Sequence, residues 1–193
     1  MKRTQKGFTL VEIAIVLVII GLLLGGILKG QEMITQAKIK NIVSDFAGIS
    51  AAYYGYQDRY RAIPGDDPQA ATRWSGGTSG NGNGVVAGTY NNGNAACVVT
   101  VEACAWWDHL RRAGFVAGSG VTQPFNAVAG LIGVQTGNGL IGDPGGGGAT
   151  VLGGFGGLII CSAGLLDKIA IAADTQMDDG LVATGTVRGQ LHT

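Results

Sequence analysis

The residue types that most often carry enzymatic chemistry are few in this sequence, and they are not grouped. His109 and His192 are far apart in the chain, and neither lies in a Cys/His/Asp cluster with the spacing of metal ligands. No serine occupies a Gly-x-Ser-x-Gly motif, which presents a nucleophile on a tight turn. The stretch GDPGGGGAT, residues 142–150, lacks the Gly-Lys-Ser/Thr end of a phosphate-binding loop. These patterns predict that the protein is not an enzyme.

Cysteines offer disulfide chemistry instead. Cys97, Cys104 and Cys161 all follow a long apolar segment near the N-terminus. We expect this part of the chain to be exported into an oxidising compartment, where disulfides persist. Three single pairings are possible, and each leaves one thiol over. We favour the pair Cys97–Cys104, which closes a short loop, with Cys161 as a free thiol in an apolar strand. The alternative is that all three cysteines stay reduced.

Carboxylates form a third group that could bind a ligand. Asp174, Asp178 and Asp179 follow a predicted helix face into a glycine turn, and Asp66 and Asp67 lie in a turn flanked by prolines. Carboxylate oxygens in loops are the ligands that calcium prefers. No D-x-D-x-D-G loop is present, so we expect solvated turn carboxylates and no cofactor. Calcium at Asp174, Asp178 and Asp179 is the alternative.

One more carboxylate, Glu12, lies inside the apolar run 8–28. As a helix this run spans roughly 31 Å, which matches a hydrocarbon core of about 30 Å. A carboxylate at the centre of such a helix costs roughly 2.5–3.5 kcal/mol on insertion scales, so a plain membrane anchor leaves Glu12 unexplained. Lys2, Arg3 and Lys6 precede the run without any acid. This charge bias predicts a cytoplasmic N-terminus and an exported remainder.

The N-terminal sequence KGFTLVEIAIVLVIIGLLLGGIL resembles that of type IV prepilins and type II secretion pseudopilins. Their pattern is a short basic leader ending in Gly, then Phe, then Thr-Leu-(Val/Ile)-Glu and an apolar helix, and it is matched from Gly7 to Glu12. The resemblance implies a precursor that a prepilin peptidase cleaves after Gly7 and N-methylates at Phe8. It implies a structural subunit of a type IV pilus-like filament or of a type II secretion pseudopilus.

The same resemblance predicts partners and location. The partners are copies of the protein or related pilins, an inner-membrane assembly platform and membrane lipid. The protein is expected to cross the inner membrane once, with its C-terminal domain in the periplasm, before it enters a filament in the periplasm or at the cell surface. Residues 62–193 carry five basic and nine acidic residues, so nucleic acid is not expected as the main ligand. The alternative function is a membrane-anchored binding or adhesion module that does not polymerise.

Two features of the N-terminal segment are candidates for assembly. Cleavage exposes the α-amine of Phe8, which is largely cationic at neutral pH, and Glu12 of a neighbouring subunit could pair with it as a device that sets the register. The alternative is that Glu12 extends to the cytoplasmic headgroups. Small residues four apart allow helices to approach closely in lipid, and this spacing occurs at Gly21, Gly25, Gly26 and Gly30. Whether these glycines also unwind the helix stays open.

The predicted domain organisation has four parts: a basic leader at 1–7, a transmembrane half-helix at 8–28, an amphipathic half-helix at 29–61 and a glycine-rich exported domain at 62–193. Apolar residues recur every three or four positions through the second half-helix, which predicts one buried helix face. This stripe consists of Ile39, Ile42, Phe46, Ile49, Tyr53, Tyr56 and Tyr60. Ile63-Pro64-Gly65 is expected to end the helix.

Within the exported domain, the glycine-rich stretches predict loops, among them residues 133–148. Between the loops we predict a helix at 102–113 closed by Gly114, a strand at 156–162, a helix at 163–180 and a final strand at 181–191. The predicted fold class is therefore α+β and pilin-like, with a long N-terminal helix packed on a small antiparallel sheet.

Overall fold

The computed structural model describes residues 9–91, 97–137 and 155–189. Its elements, in chain order, are α1 (Leu10–Tyr60), α2 (Ala70–Arg73), α3 (Glu102–Arg112), β1 (Ile132–Thr136), β2 (Leu158–Ser162) and α4 (Asp167–Met177). A long N-terminal helix packs on a two-stranded antiparallel sheet, which confirms the predicted α+β, pilin-like fold class. Two compact units divide the chain, Met1–Ala37 and Lys38–Thr193. The predicted processing residues Gly7 and Phe8 lie outside the described residues.

The first unit is described as the N-terminal part of α1. Its large apolar side chains, from Leu10 to Ile34, are between 46% and 86% exposed. In the described part of the chain, α1 is the one helix that is long and apolar enough to cross a membrane. Its composition is therefore suited to lipid or to other apolar helices, and unsuited to water.

In the second unit, one face of α1 is buried. The predicted stripe is confirmed, since Ile39, Ile42, Ile49 and Tyr56 are buried and its other members are half-buried. The stripe meets two groups of side chains. Ile39 and Ile42 pack with apolar residues of α4. Further along, the main core contains Ile49, Tyr56, Trp106, Trp107, Leu110, Ile132 and Val134, from α1, α3 and β1.

Helices α1 and α3 both end in left-handed backbone. Arg61 has φ 55° directly after the last residue of α1, one residue from the predicted end. At the end of α3, Gly114 has φ 80°, its N–H donates to the carbonyl of Arg111, and the Phe115 N–H donates to the carbonyl of Leu110. This pair of hydrogen bonds is a Schellman motif, and it confirms the predicted glycine closure of α3.

The sheet joins β1 and β2 in antiparallel register, with Ile132 opposite Ser162 and Thr136 opposite Leu158. The predicted strand at 156–162 is confirmed as β2. The loop prediction for 133–148 is wrong at its start, because Gly133 belongs to β1. A Cβ atom at Gly133 would lie 1.9 Å from the carbonyl oxygen of Tyr90. Glycine at this position therefore serves the close approach of another backbone, and it does not mark a turn.

The C-terminal helix and the segment after it differ from the predictions. The helix begins at Asp167 and ends at Met177, inside the predicted bounds 163–180. Ala163 is still bound to the sheet edge, where its N–H donates to the carbonyl of Leu131. The final strand is wrong, since residues 181–189 form turns and bends. The backbone N–H groups of Leu181, Thr186 and Val187 donate to the carboxylates of Asp178 and Asp179, which removes these three from strand pairing.

A buried polar cluster holds the end of α1 to the loop that follows it. The Tyr56 hydroxyl donates to Asp67 Oδ2 at 2.6 Å, and Asp67 also forms an ion pair with Arg73. Burial raises the pKa of the Tyr56 hydroxyl above its ordinary value. His109 is also fully buried, and its Nδ1 accepts the Gly65 N–H at 2.9 Å. These contacts give the tyrosine and the histidine structural roles.

The disulfide joins Cys97 to Cys104, whose Cα atoms are 5.5 Å apart. It ties the segment before α3 to the first turns of that helix. Cys161 on β2 is a half-buried free cysteine. Burial raises the pKa of its thiol to about 12.

We predict that Tyr56→Phe lowers the free energy of unfolding by about 1.5–3 kcal/mol, because the buried Asp67 carboxylate loses one donor. The measurement is thermal unfolding of the detergent-solubilised protein, followed by tryptophan fluorescence. Tyr54→Phe is the matched control, since Tyr54 is 66% exposed. The control should stay within about 0.5 kcal/mol of the wild type. Equal melting temperatures for Tyr56→Phe and the wild type would contradict the role of the cluster.

We predict that non-reducing peptide mapping finds the Cys97 and Cys104 peptides linked and Cys161 unlinked. With its pKa raised, the Cys161 thiol should react with iodoacetamide at pH 8 on the order of a thousandfold more slowly in the folded protein than in urea, because the thiolate is the nucleophile. Equal labelling rates in the two conditions would show that the thiol is not protected.

Candidate assembly site

Glu12 lies in the first turn of α1, where it forms a reciprocal pair with Thr9. The Thr9 backbone N–H and hydroxyl donate to Glu12 Oε2 at 2.7 and 2.8 Å. The Glu12 N–H donates in return to the Thr9 hydroxyl oxygen at 3.3 Å. This arrangement is a capping box, which satisfies N–H groups that a helix start leaves without partners.

Thr9 is a site residue that was not predicted from the sequence. The signal was present, because Thr-x-x-Glu in front of an apolar run is the usual pattern of a capping box. The box gives the carboxylate a partner within its own subunit. Both donors from Thr9 use Oε2, and among the described residues none donates to Oε1.

The glycines proposed for helix packing all lie within α1. A Cβ atom built on Gly21, Gly25, Gly26 or Gly30 would meet nothing within 4 Å. Each glycine therefore leaves a notch in an otherwise bulky apolar surface. The described residues bring no partner to these notches, so the packing role stays a prediction.

The three aspartates proposed as calcium ligands are brought together. Asp174 is in the last turns of α4, and Asp178 and Asp179 follow that helix. Each offers a carboxylate oxygen, and these oxygens lie within 4.8 Å of one another. Two of the aspartates organise the next loop. Asp178 Oδ2 accepts the Val187 N–H at 3.1 Å, and Asp179 Oδ1 accepts the Leu181 N–H at 2.8 Å.

The expectation of solvated turn carboxylates is wrong for Asp174, Asp66 and Asp67. Asp174 is 1% exposed, and burial raises the pKa of its carboxyl, with further contributions from the charges of Asp179 and Asp178. Asp66 and Asp67 are also buried. Asp66 accepts the backbone N–H groups of residues 82, 83 and 84, so it fixes a glycine-rich loop.

Comparisons with known proteins agree with this geometry. Residues 2–28 match the family model described as the prokaryotic N-terminal methylation motif. The chain is similar to the type IV narrow pilus major component PilA5 of Thermus thermophilus, with 31% identity over 110 residues. The aligned region covers 56% of this chain and 89% of that protein. A comparison with solved structures found no match.

These similarities confirm the predicted resemblance and the prediction that the protein is not an enzyme, because pilins are structural proteins. The methylation motif covers only the N-terminal segment, whereas the similarity to the Thermus pilin extends over most of that pilin's length. The chain therefore belongs to the type IV pilin family.

Proposed function

We propose that the protein is a filament subunit, made as a precursor that is cleaved after Gly7, N-methylated at Phe8 and polymerised through α1. The observation that carries this proposal is the apolar surface of α1 from Leu10 to Ile34, which is exposed along its whole length in the isolated chain. Exposed apolar surface of this extent marks a membrane or protein interaction site. The similarity to a major pilus component favours a pilus over a secretion pseudopilus.

The apolar surface suits two successive environments. Before assembly it fits the inner membrane, with the N-terminus in the cytoplasm, where a prepilin peptidase acts, and the C-terminal domain in the periplasm. After assembly, on an inner-membrane platform, it packs against the same helix of other subunits. Lipid tails are as apolar as leucine, so helix association needs close packing and polar contacts. The notches at Gly21, Gly25, Gly26 and Gly30 allow close packing, and Glu12 provides a polar contact.

In this proposal Glu12 meets the Phe8 amine of a neighbouring subunit. Opposite charges about 4 Å apart gain about 4 kcal/mol at an effective dielectric of 20, before desolvation. Glu12 is four residues after Phe8, so a neighbour must be displaced by about one helical turn to bring the two groups together. The capping box supports this role, because Thr9 fixes one carboxylate oxygen and leaves Oε1 for the amine.

We predict that the membrane-bound protein has an intact mass corresponding to a chain that starts at Phe8 and carries one added methyl group. The physical reason is that the leader is basic and the Gly7 position is small, which suits entry into a protease cleft. The control is a host that lacks prepilin peptidase, in which the chain should keep its leader. A chain that still begins at Met1 in the peptidase-containing host would exclude the proposed processing.

We predict that Glu12→Ala and Glu12→Gln both reduce sheared filaments more than tenfold, since breaking a buried ion pair costs about 3–5 kcal/mol. Membrane insertion and cleavage after Gly7 should be unchanged. Glutamine also serves in a capping box, so Glu12→Gln separates the charge from the cap. Thr9→Val removes the cap hydroxyl, keeps the charge and should still assemble.

The matched control is Glu32→Gln, which removes an exposed carboxylate of α1 that pairs with Lys29. It should yield filaments like the wild type. Normal filament yield from Glu12→Gln would show that the cap, and not the charge, matters. A processed wild-type protein that never enters sheared filaments would instead support the anchored binding module.

A further inference from the structure

We propose that the turn after α4 binds one calcium ion through the carboxylates of Asp174, Asp178 and Asp179. The inference concerns the exported domain and does not depend on the proposed filament role. It stands on the geometry of the three carboxylates and on the burial of one of them.

The first observation is distance. The three oxygens lie within 4.8 Å of one another. Calcium binds oxygen at about 2.3–2.6 Å, so ligands on opposite sides of one ion are about 4.6–5.2 Å apart. The three carboxylates therefore fit within a single coordination sphere. Loop carbonyls and waters would complete the six to eight ligands that calcium takes.

The second observation is a buried carboxylate that lacks a well-formed hydrogen bond. Asp174 is 1% exposed, and neither Oδ1 nor Oδ2 accepts a hydrogen bond of normal geometry in the described part of the chain. The backbone N–H of Gly180 favours the charged form of this carboxyl, and burial opposes it. A buried carboxylate without a partner is costly, and native proteins supply a hydrogen bond, a cation or a metal. A cation bound to Asp174 would provide the partner that this buried carboxylate needs.

The third observation is the concentration of negative charge. The three ion pairs among the described residues involve Lys29, Arg73 and Arg112, and none of them reaches this cluster. Arg188 lies on the same loop, where its Nε–H donates to the carbonyl of Gly185 at 3.1 Å. Three carboxylates this close repel one another, and a divalent cation offsets that repulsion.

The loop is also built to hold its two exposed carboxylates in place. Asp178 Oδ2 accepts backbone N–H groups from Thr186 and Val187, and the Thr184 hydroxyl donates to Asp179 Oδ2 at 2.7 Å. A Cβ atom at Gly185 would lie 1.9 Å from Asp178 Oδ2, so only glycine allows this approach. Both backbone donors to Asp178 use the same oxygen, Oδ2. The adaptable geometry of a turn suits calcium better than magnesium, which demands a near-ideal octahedron.

The test uses the full-length protein in detergent, stripped with EGTA and dialysed against radioactive calcium. We expect saturable binding of one ion per chain, with a Kd of about 10⁻⁴–10⁻³ M, the range of extracellular calcium modules. At ten times Kd, the melting temperature should rise by about 3–6 °C. Magnesium at the same concentration should give a smaller rise. A wild-type protein with no saturable binding and no calcium-dependent rise overturns the proposal.

The variants separate a metal site from a merely acidic turn. Asp178→Asn and Asp179→Asn should each weaken calcium binding at least tenfold. Asp174→Asn should also abolish binding, yet its calcium-free melting temperature should equal or exceed that of the wild type, because an unpartnered charge is removed. Asp58→Asn, on the exposed face of α1, is the matched control and should bind like the wild type. Unchanged calcium affinity in Asp174→Asn, or a wild-type melting temperature that responds to pH 5 and not to calcium, overturns the proposal in favour of a protonated Asp174.

Discussion

The burial of one face of α1 is the interaction on which the rest of the second unit, Lys38–Thr193, depends. Every other described element is short: α3 and α4 have 11 residues each, and each strand has five. A two-stranded sheet is marginally stable alone in water, and short helices are as well. Ile49 and Tyr56 give α3 and β1 a common surface, and Ile39 and Ile42 give one to α4. Helix α1 therefore provides the apolar surface against which each small element packs.

In this domain, carboxylates accept many of the backbone N–H hydrogen bonds that neighbouring strands accept in a larger sheet. Glycine-rich loops cost much conformational entropy to order, and their N–H groups need acceptors. Asp66 accepts three such groups, Glu102 accepts the N–H groups of Asn81 and Ala87, and Asp178 accepts two more. The acidic excess of residues 62–193 is thus partly structural. It follows that charge counts alone say little about what the surface of this domain presents to a partner.

The elements that could be predicted from sequence are those whose signals are local. The apolar spacing of α1 and the Gly114 closure of α3 lie within the elements themselves. β1 could not be predicted, because its pairing partner β2 is more than twenty residues away and glycine hides its pattern. Residues 181–189 alternate like a strand, but the carboxylates of Asp178 and Asp179 accept three of their N–H groups, and the sequence pattern does not show these contacts. The aspartate cluster could be proposed from spacing, whereas the burial of Asp174 is a tertiary property. The capping box of Thr9 and Glu12 could also have been predicted, because its signal, Thr-x-x-Glu, is local.

The capping box changes how Glu12 can work in an assembly. A helix N-terminus carries about half a positive charge, which favours the Glu12 carboxylate in the first turn and disfavours a cationic amine there. In the proposed mature subunit, the Phe8 amine would therefore gain less from its own helix than from a carboxylate on a neighbour. Oε2 of Glu12 is engaged by Thr9, while Oε1 has no donor in the described chain. One carboxylate can thus cap its own helix with one oxygen and receive a neighbour's amine with the other, so assembly need not break the cap.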